Sequence, residues 1–259
     1  MTKKKILALI PARMGSSRFP GKPMAHLANV PMIEHVYRRV ALSRKLTATV
    51  VATCDEEIAA HVRGIDGRVA MTGSHHERAS DRCAEALAII EKEDGVKFDI
   101  VVMVQGDEPL VHPEMIDEAL APLLADPKVR ITNLLGHIGS EEEFEDRNCI
   151  KVVLDRSSNA LYFSREPIPT RSKGTNAPMG KQICVIPFTR DFLLEYTRMA
   201  PTPLEIAESV DMMRVLEHGL DVRMVPTKHN SLSVDTEADR VRVEQVMLQD
   251  SLYRQLYKS

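Results

Sequence analysis

The chain has 259 residues, 44% of them hydrophobic and 27% charged, and its formal net charge is −3. This composition is typical of a globular protein with a full core, and it argues against bulk nucleic-acid binding, which needs a basic surface. No apolar run is long enough to span a membrane, so we expect no membrane insertion. The four cysteines are scattered and lack CxxC spacing, which favours a reducing compartment and predicts a cytoplasmic protein.

Apolar runs alternate with helical patterns in the first half of the chain. Strands are predicted in KILALI, TATVVAT, RVAMT and FDIVVMV, and helices in PMIEHVYRRVAL, DEEIAAHVRG and SDRCAEALAIIEKEDG. The run FDIVVMV is apolar on both faces, as in a parallel strand that is buried on both sides. This alternation predicts an α/β fold with a Rossmann-like, mostly parallel sheet flanked by helices.

The pattern changes near residue 130. The runs RITNLLGHI, CIKVVLD and ALYFS follow one another without a long helix and predict antiparallel strands. GKQICVIPF predicts one more strand, followed by helices near 191–199 and 203–219 and a short strand in DVRMV. A closing helix is predicted from Thr236, which has capping-box spacing to Asp239. We expect a single domain, 1–259, with an inserted mixed-strand region at about 130–220.

The loop after the first strand, IPARMGSSRFPGKP, is basic and flexible. Arg13, Arg18 and Lys22 supply positive charge, and Gly15 and Gly21 allow close approach of the backbone. A strand, loop and helix in this order direct backbone N–H groups at an anion, which predicts a phosphate site. The motif is neither GxGxxG nor a Walker loop, and the alternative is an ordinary solvated basic loop.

Two acidic stretches are candidates for a metal site. VQGDEP ends a buried strand, so Asp107 would lie at the carboxyl edge of the sheet, where ligands bind. Mg²⁺ prefers one or two carboxylates together with phosphate oxygens, which suits Asp107 facing a cationic loop. Asp235 in SVDTEAD could supply a second carboxylate. The alternatives are a simple Gly-Asp turn at Asp107 and a helix N-cap at Asp235.

Three other features are interpreted as structural. The adjacent His75 and His76 have poor spacing for one metal and are predicted to lie at the surface. The run EEEFED is predicted to be a solvated acidic stretch, and the Met212–Met213 pair is predicted to be part of the core.

The ordered set of motifs resembles the 3-deoxy-manno-octulosonate (Kdo) cytidylyltransferases over about residues 6–246. The motifs that carry the resemblance are IPARMGSSRFPGKP, VQGDEP, KVVLD, YFSREPIP, PLE and VDT. The resemblance implies transfer of CMP from CTP to the anomeric hydroxyl of a 2-keto-3-deoxy sugar acid, with release of pyrophosphate. It also implies a Mg²⁺ cofactor, a role in lipopolysaccharide biosynthesis, and a homodimer formed through the mixed-strand region.

The resemblance also implies roles for individual residues. Catalysis would involve Arg13, Lys22 and Asp107, and Mg²⁺ would bind Asp107 and Asp235. The nucleotide site would be formed by Pro11, Ala12, Arg13, Gly15, Ser17, Arg18, Lys22, Thr72, Ser80, Arg82, Gln105 and Gly106. The sugar-acid acceptor would be bound by Arg165, Gln182, Ile186, Glu208, Asp211 and Met212.

The chain departs from the family pattern on the acceptor side. Where the family usually reads HxGIYGY, this chain has QICVIPF, so histidine and tyrosine become Gln182 and Ile186. Where it reads ExLEQLR, this chain has ESVDMMR, so the glutamate and glutamine become Asp211 and Met212. Changes near the base pocket are HERASDR for HxSGTER and Cys54 for the aspartate of VATD.

These departures leave several functions open. Losing polar partners for acceptor hydroxyls predicts an acid other than Kdo, whereas neutral drift predicts Kdo itself. A different small anionic acceptor is a further alternative. Outside this activity, the alternatives are a pyrophosphorylase acting on a sugar or alditol phosphate, a glycosyltransferase, and a non-catalytic nucleotide-binding homologue.

Overall fold

The computed structural model describes residues 3–15, 18–172, 174 and 179–257. The strands are β1 (Ile6–Pro11), β2 (His26–Leu27), β3 (Val30–Pro31), β4 (Ala48–Thr53), β5 (Arg68–Met71), β6 (Ile100–Val104), β7 (Thr132–Gly136), β8 (Lys151–Leu154), β9 (Ala160–Ser164), β10 (Met179–Ile183), β11 (Val185–Thr189) and β12 (Arg223–Pro226). The helices are α1 (Met32–Ala41), α2 (Glu56–Gly64), α3 (Ala79–Asp94), α4 (Pro113–Ala125), α5 (Glu141–Glu145), α6 (Arg190–Tyr196), α7 (Pro203–Glu208), α8 (Asp211–Glu217), α9 (Glu237–Gln249) and α10 (Ser251–Tyr257), with a 3₁₀ turn at Lys22–Met24.

The chain forms two compact units. The first comprises residues 1–116 and 231–259, and the second comprises residues 117–230. The region predicted at about 130–220 belongs to the second unit, and the assignment of a single domain stays a prediction. No helix in the described part of the chain combines the length and the apolar character needed to cross a bilayer.

The first unit contains a parallel sheet in which β6, β1, β4 and β5 are neighbours in that order. Every residue of β1 and β6 is buried, which explains their continuous apolar sequences. The predicted mostly parallel α/β fold is confirmed. The chain moves from β1 to β4 and β5 on one side and then returns to β6 on the other. The carboxyl ends of β1 and β6 therefore flank a topological switch point, where open α/β sheets bind ligands.

The second unit contains a mixed sheet with the order β12, β7, β10, β8 and β9. β8 is antiparallel to β9 and to β10, and β10 is antiparallel to β7, as the sequence predicted. β12 is parallel to β7. Every residue of β7 is buried, whereas β8, β9, β10 and β12 each contain half-buried or exposed residues.

The structure differs from the sequence prediction at several elements. The single strand predicted in GKQICVIPF is two strands, β10 and β11, separated by Cys184. The helix predicted at 203–219 is interrupted at Ser209, whose φ of 52° lies in the left-handed region. The acidic run predicted to be only solvated contains α5, which Ser140 caps and which buries Phe144. Helices α4 and α10 were not predicted. Met212 and Met213 are buried as expected.

Candidate active site

The loop after β1, here called the opening loop (residues 12–22), is closed by backbone contacts. The amide of Gly21 donates to the carbonyl of Met14 at 3.0 Å, and the amide of Met14 donates to Asp55 Oδ2 at 2.8 Å. Gly21 has a φ of +73°, a conformation that favours glycine, and it caps the 3₁₀ turn that begins at Lys22. The turn fixes the backbone position of Lys22, from which its side chain extends. Ser17 lies outside the described residues.

The Lys22 ammonium lies between two carboxylates. Its Nζ is 2.7 Å from Asp107 Oδ2 and 3.3 Å from Asp235 Oδ1. The Arg18 guanidinium also contacts Asp235 Oδ1, at 2.9 Å. Burial alone lowers the pKa of Lys22, but the negative charges of Asp107 and Asp235 and the hydrogen bonds to them outweigh it, so its pKa is raised. Lys22 is therefore a fixed positive charge at neutral pH.

Two hydrogen bonds, one between backbone groups and one between side chains, bring the two carboxylates together from distant parts of the chain. The amide of Val234 donates to the carbonyl of Asp107 at 3.0 Å, and the Ser231 hydroxyl donates to buried Glu108 at 2.7 Å. The N-cap of α9 is Thr236, not Asp235, so the N-cap alternative for Asp235 is wrong. The Asp235 carboxylate is left to face Lys22 and Arg18.

The turn after β6 comes close to the end of β1. Gln105 and Gly106 lie in this turn, which is closed by the Glu108 amide donating to the Gln105 carbonyl at 3.2 Å. A Cβ atom at Gly106 would lie 3.1 Å from the carbonyl oxygen of Pro11. A side chain at this position would need the Pro11 backbone to move by a few tenths of an ångström, so glycine suits the close approach of these two strand ends at the switch point.

The donor set around Lys22 fits a divalent cation. A carboxylate oxygen of Asp107 and one of Asp235 both contact the same cationic atom, Lys22 Nζ. Carboxylate oxygens are the ligands that Mg²⁺ prefers, usually one or two per site with phosphate oxygens completing the shell. The residues predicted from the sequence as metal ligands therefore come together.

A second cluster lies after β5 and in the first turn of α3. Arg82 Nη1 donates to Thr72 Oγ1 at 2.6 Å, and the carbonyl of His76 accepts from Arg82 at 3.5 Å and from Arg13 at 3.4 Å. Thr72, Arg82 and Ser80 are buried. The residues predicted to be near the base thus come together from the loop after β5 and the start of α3, with Arg13 linking this cluster to the opening loop. Of the two histidines predicted at the surface, His75 is exposed, whereas His76 is half-buried and its Nε2 contacts Glu85 Oε2.

In the second unit, the predicted acceptor residues Arg165 and Glu208 form hydrogen bonds with each other and with neighbouring groups of the chain. The Arg165 guanidinium donates to the carbonyls of Arg147 at 3.0 Å, Glu208 at 2.6 Å and Ser209 at 3.4 Å. The Glu208 carboxylate accepts from the Arg165 amide at 2.8 Å and from the Tyr162 hydroxyl at 3.1 Å. Both side chains hold the polypeptide around the break at Ser209.

The substituted acceptor positions have contrasting environments. Gln182 Nε2 donates to Asn133 Oδ1 at 2.6 Å. Ile186 is 2% exposed and Met212 is 0% exposed, so both are packed as core residues. Asp211 is the first residue of α8, where its negative charge suits the helix dipole. Apolar side chains at Ile186 and Met212 are consistent with a dry interior at these two positions.

Sequence reasoning missed several residues that shape these sites. They are Asp55, Glu108, Ser231, Asn133 and Lys151, whose ammonium donates to the carbonyls of Asp146, Cys149 and Arg165. Asp55 lies two residues after the end of β4, which was a usable signal. Glu108, Ser231 and Asn133 form contacts with residues far away in sequence, which no local pattern reveals, whereas Lys151 contacts residues within 14 positions of itself.

The chain is similar in sequence to a family model and to proteins of known activity. The family model described as Cytidylyltransferase matches residues 7–224. The chain is 46% identical over 250 residues to the 3-deoxy-manno-octulosonate cytidylyltransferase of Geobacter metallireducens, covering 92% of this chain and 96% of that protein. It is 45% identical over 249 residues to the enzyme of the same name from Geobacter sulfurreducens, covering 92% and 97%.

A solved structure gives the same result at the level of the fold. The structure of CMP:2-keto-3-deoxy-manno-octonic acid synthetase complexed with CTP is similar with a TM-score of 0.84 and 33% sequence identity. The match covers 95% of this chain and 99% of that chain. The resemblance first noted in the sequence motifs is confirmed. The chain belongs to the cytidylyltransferase family.

Proposed function

We propose that this protein transfers CMP from CTP to the anomeric hydroxyl of Kdo or a Kdo-like 2-keto-3-deoxy sugar acid and releases pyrophosphate. The observation that carries the proposal is the contact of Lys22 with both Asp107 and Asp235 at the sheet's switch point. This arrangement can bind a triphosphate and a divalent cation together. The relatives at 45–46% identity carry the name of the corresponding enzyme.

The opening loop supplies the positive charge for the triphosphate. Lys22, Arg18 and Arg13 all lie in this loop or at its ends, and Gly21 shapes its last turn. Cations aimed at the phosphate oxygens stabilise the negative charge that develops as the α-phosphate is attacked. Gln105 and Gly106, next to Pro11 and Ala12, would complete the wall of the nucleotide site.

Asp107 and Asp235 would hold Mg²⁺. When bound, Mg²⁺ neutralises phosphate charge, orients the α-phosphate and lowers the pKa of a coordinated hydroxyl. Both carboxylates contact Lys22 in this structure, so a divalent cation would compete with Lys22 for the same oxygens. An ammonium released from these carboxylates is available to a phosphate oxygen.

The chemistry requires positioning more than a covalent intermediate. Phosphoryl-type transfer proceeds by in-line attack through a transition state with little covalent chemistry for the protein to do. The acceptor hydroxyl is itself the nucleophile, and pyrophosphate is the leaving group. Arg13, Lys22 and Asp107 would align the triphosphate, and no side-chain nucleophile is needed.

The identity of the acceptor acid depends on the second unit. Arg165 and Glu208 would hold the polypeptide that surrounds the acceptor, and Gln182, Ile186, Asp211 and Met212 would shape its specificity. Ile186 and Met212 take the place of two polar residues that the family pattern offers to acceptor hydroxyls, and both are buried. This observation favours, as a second candidate, an acceptor with fewer hydroxyl groups than Kdo.

The proposal extends to the assembly and location of the protein. We propose a homodimer formed through the mixed-strand region, as the resemblance implies, acting in lipopolysaccharide biosynthesis. None of the four cysteines, all of which lie in the described part of the chain, is joined in a disulfide, which supports a reducing compartment such as the cytoplasm.

Pyrophosphate release from purified protein with Mg²⁺, CTP and Kdo is the test, with other 2-keto-3-deoxy acids assayed in parallel. Rapid release with Kdo is expected. Pyrophosphate release with another acid but not with Kdo would support the second candidate, an acceptor with fewer hydroxyl groups than Kdo. Release of free nucleotide instead of pyrophosphate would indicate a glycosyltransferase, and silence with every acid and every nucleoside triphosphate would overturn the proposal.

A further inference from the structure

The N-terminus of α2 carries a carboxylate that does not cap its own helix. Asp55 is the N-cap residue of α2, yet its side chain makes no capping hydrogen bond. An aspartate at this position normally accepts from the second or third amide of its own helix. Here Asp55 Oδ2 instead accepts from the amide of Met14, at 2.8 Å, and from the thiol of Cys54, at 3.6 Å. The carboxylate is directed away from its helix and onto the opening loop.

The contact continues the parallel pairing of β1 and β4. In the sheet, Pro11 pairs with Ala52, and Met14 meets Asp55 at the same sequence offset of 41. The backbone pairing ends with the strands, so the Asp55 side chain takes the place of a backbone carbonyl for the Met14 amide. The loop is thereby held to the sheet beyond the strand ends.

Met14 is also the residue that closes the opening loop. Its carbonyl accepts from the amide of Gly21 at 3.0 Å, and Gly21 caps the turn that begins at Lys22. One side chain, Asp55, therefore fixes the backbone position from which the loop returns to Lys22. Asp55 itself is held in place, because its amide donates to Thr53 Oγ1 at 3.1 Å.

We propose that Asp55 is a positioning residue for the nucleotide site: it holds the opening loop so that the Lys22 ammonium stands at the carboxyl edge of the sheet. Asp55 acts through Met14 and Gly21 and makes no contact of its own with the reacting groups. The interpretation of its effect on nucleotide binding rests on the proposed function.

Three variants separate loop positioning from helix capping. Asp55→Asn keeps a side-chain oxygen that can accept from the Met14 amide. Asp55→Ser keeps a good N-cap residue for α2, but its hydroxyl is too short to span the same distance to Met14. Glu57→Ala, on the same first turn of α2, removes an exposed carboxylate that has no hydrogen bond in the structure, and is the control.

Affinity for CTP, measured by calorimetry with Mg²⁺, is the first measurement. We expect Asp55→Ser to weaken CTP binding about tenfold, the effect of leaving one hydrogen bond unmade, and Asp55→Asn to weaken it less than threefold. In turnover, Asp55→Ser should raise KM for CTP while leaving KM for the acceptor within twofold. Wild-type affinity in Asp55→Ser would overturn the proposal. Equal weakening in all three variants would also overturn it, because the effect would then belong to helix stability.

Amide hydrogen exchange is the second measurement and does not depend on the reaction. Asp55→Ser should accelerate exchange in a peptide that contains Met14 and Gly21, and Glu57→Ala should not. Unchanged exchange would overturn the proposal even if the protein is an active cytidylyltransferase. Faster exchange in a protein that neither binds CTP nor releases pyrophosphate would support the positioning role and reject the proposed function instead.

Discussion

The Lys22 ammonium and the Asp107 carboxylate form an ion pair with 2.7 Å between Nζ and Oδ2, although they are 85 residues apart in sequence. Their side chains are only 13% and 20% exposed, so water screens the pair less than a surface salt bridge. Asp235 and Arg18 complete a set of two negative and two positive charges. These ion pairs therefore connect the opening loop to the turn after β6 and to the start of α9.

Removing either carboxylate should abolish most of the activity. We expect Asp107→Asn and Asp235→Asn each to lower kcat by about 100-fold or more, because each loses a charge that would stabilise the transition state through the bound cation. Pyrophosphate release at saturating CTP is the measurement. Asp66→Asn is a matched control, since Asp66 is exposed in the first unit and asparagine tolerates its positive φ. Near-normal kcat in Asp107→Asn would contradict the proposed metal site.

Removing Lys22 should increase the effect of Mg²⁺ on stability. Lys22→Met leaves Asp107 and Asp235 without the cation they share, so Mg²⁺ no longer competes with an ammonium and should bind more tightly. The expected result is a larger Mg²⁺-induced rise in Tm for Lys22→Met than for the wild type. Differential scanning fluorimetry without nucleotide measures this. Exposed Lys97→Met should behave as the wild type, and an equal Mg²⁺ response in all three proteins would argue against competition.

The sequence predicted those parts of the fold that depend on local patterns. β1 and β6 were predicted because fully buried parallel strands need continuous apolar runs. The break between α7 and α8 was missed because Ser209 is an ordinary residue that adopts a left-handed φ of 52°, a conformation that local pattern does not require of serine. Tertiary contacts, such as those from Arg165 to the Glu208 and Ser209 carbonyls, stabilise this break.

Only part of the candidate site was predicted, because sequence prediction depends on local patterns here as well. Charged residues after buried strands pointed to Lys22 and Asp107, because strand ends in a parallel sheet share one edge. Their supporting contacts were not visible, since the contact of Asp55 with Met14 depends on strand register. The resemblance named Arg165 as an acceptor residue, and only the structure shows its guanidinium bound to backbone carbonyls.

A buried ion pair should control the stability of the second unit. Arg214 Nε and Nη2 donate to the two carboxylate oxygens of Glu205 at 2.7 and 2.6 Å, and the side chains are 4% and 0% exposed. The hydrogen bonds to Glu205 raise the pKa of Arg214. Glu205→Ala should destabilise the protein by about 3–5 kcal/mol, because it leaves a buried charge without its partner.

The pair can be isolated by a double-mutant cycle in urea. Glu205→Ala combined with Arg214→Met should be less destabilising than the sum of the two single changes, since no unpaired charge remains. Additive effects would show that the two side chains do not interact in solution.

Two of the substituted acceptor positions, Gln182 and Ile186, should respond differently to restoring the family residues. Ile186→Tyr places a larger side chain in a site that is 2% exposed, and overpacking should cost about 1–3 kcal/mol of unfolding free energy. Gln182→His replaces the amide donor with a ring nitrogen that can donate to Asn133, so its cost should be below about 1 kcal/mol. Urea unfolding of the single variants tests this, and turnover of Kdo by each shows the effect on specificity. Equal stability of both variants would mean that Ile186 is not packed as the structure has it.

A buried histidine should make the stability of the protein fall in mild acid. Burial lowers the pKa of His35 from its ordinary value of 6.5 to about 4, even though its Nε2 lies 2.8 Å from the carbonyl of Leu27. Between these two values the unfolded chain binds a proton that the folded chain does not, so stability decreases as the pH falls from 6.5 towards 4 and is unaffected by His35 above 6.5.

His35→Gln removes this titration and retains a donor for Leu27. The stability of the wild type relative to His35→Gln should therefore drop by about 3 kcal/mol between pH 7 and pH 4. Urea denaturation at several pH values measures the difference, and exposed His26→Gln should follow the wild type. Parallel pH profiles for the wild type and His35→Gln would show that His35 is not held neutral by the fold.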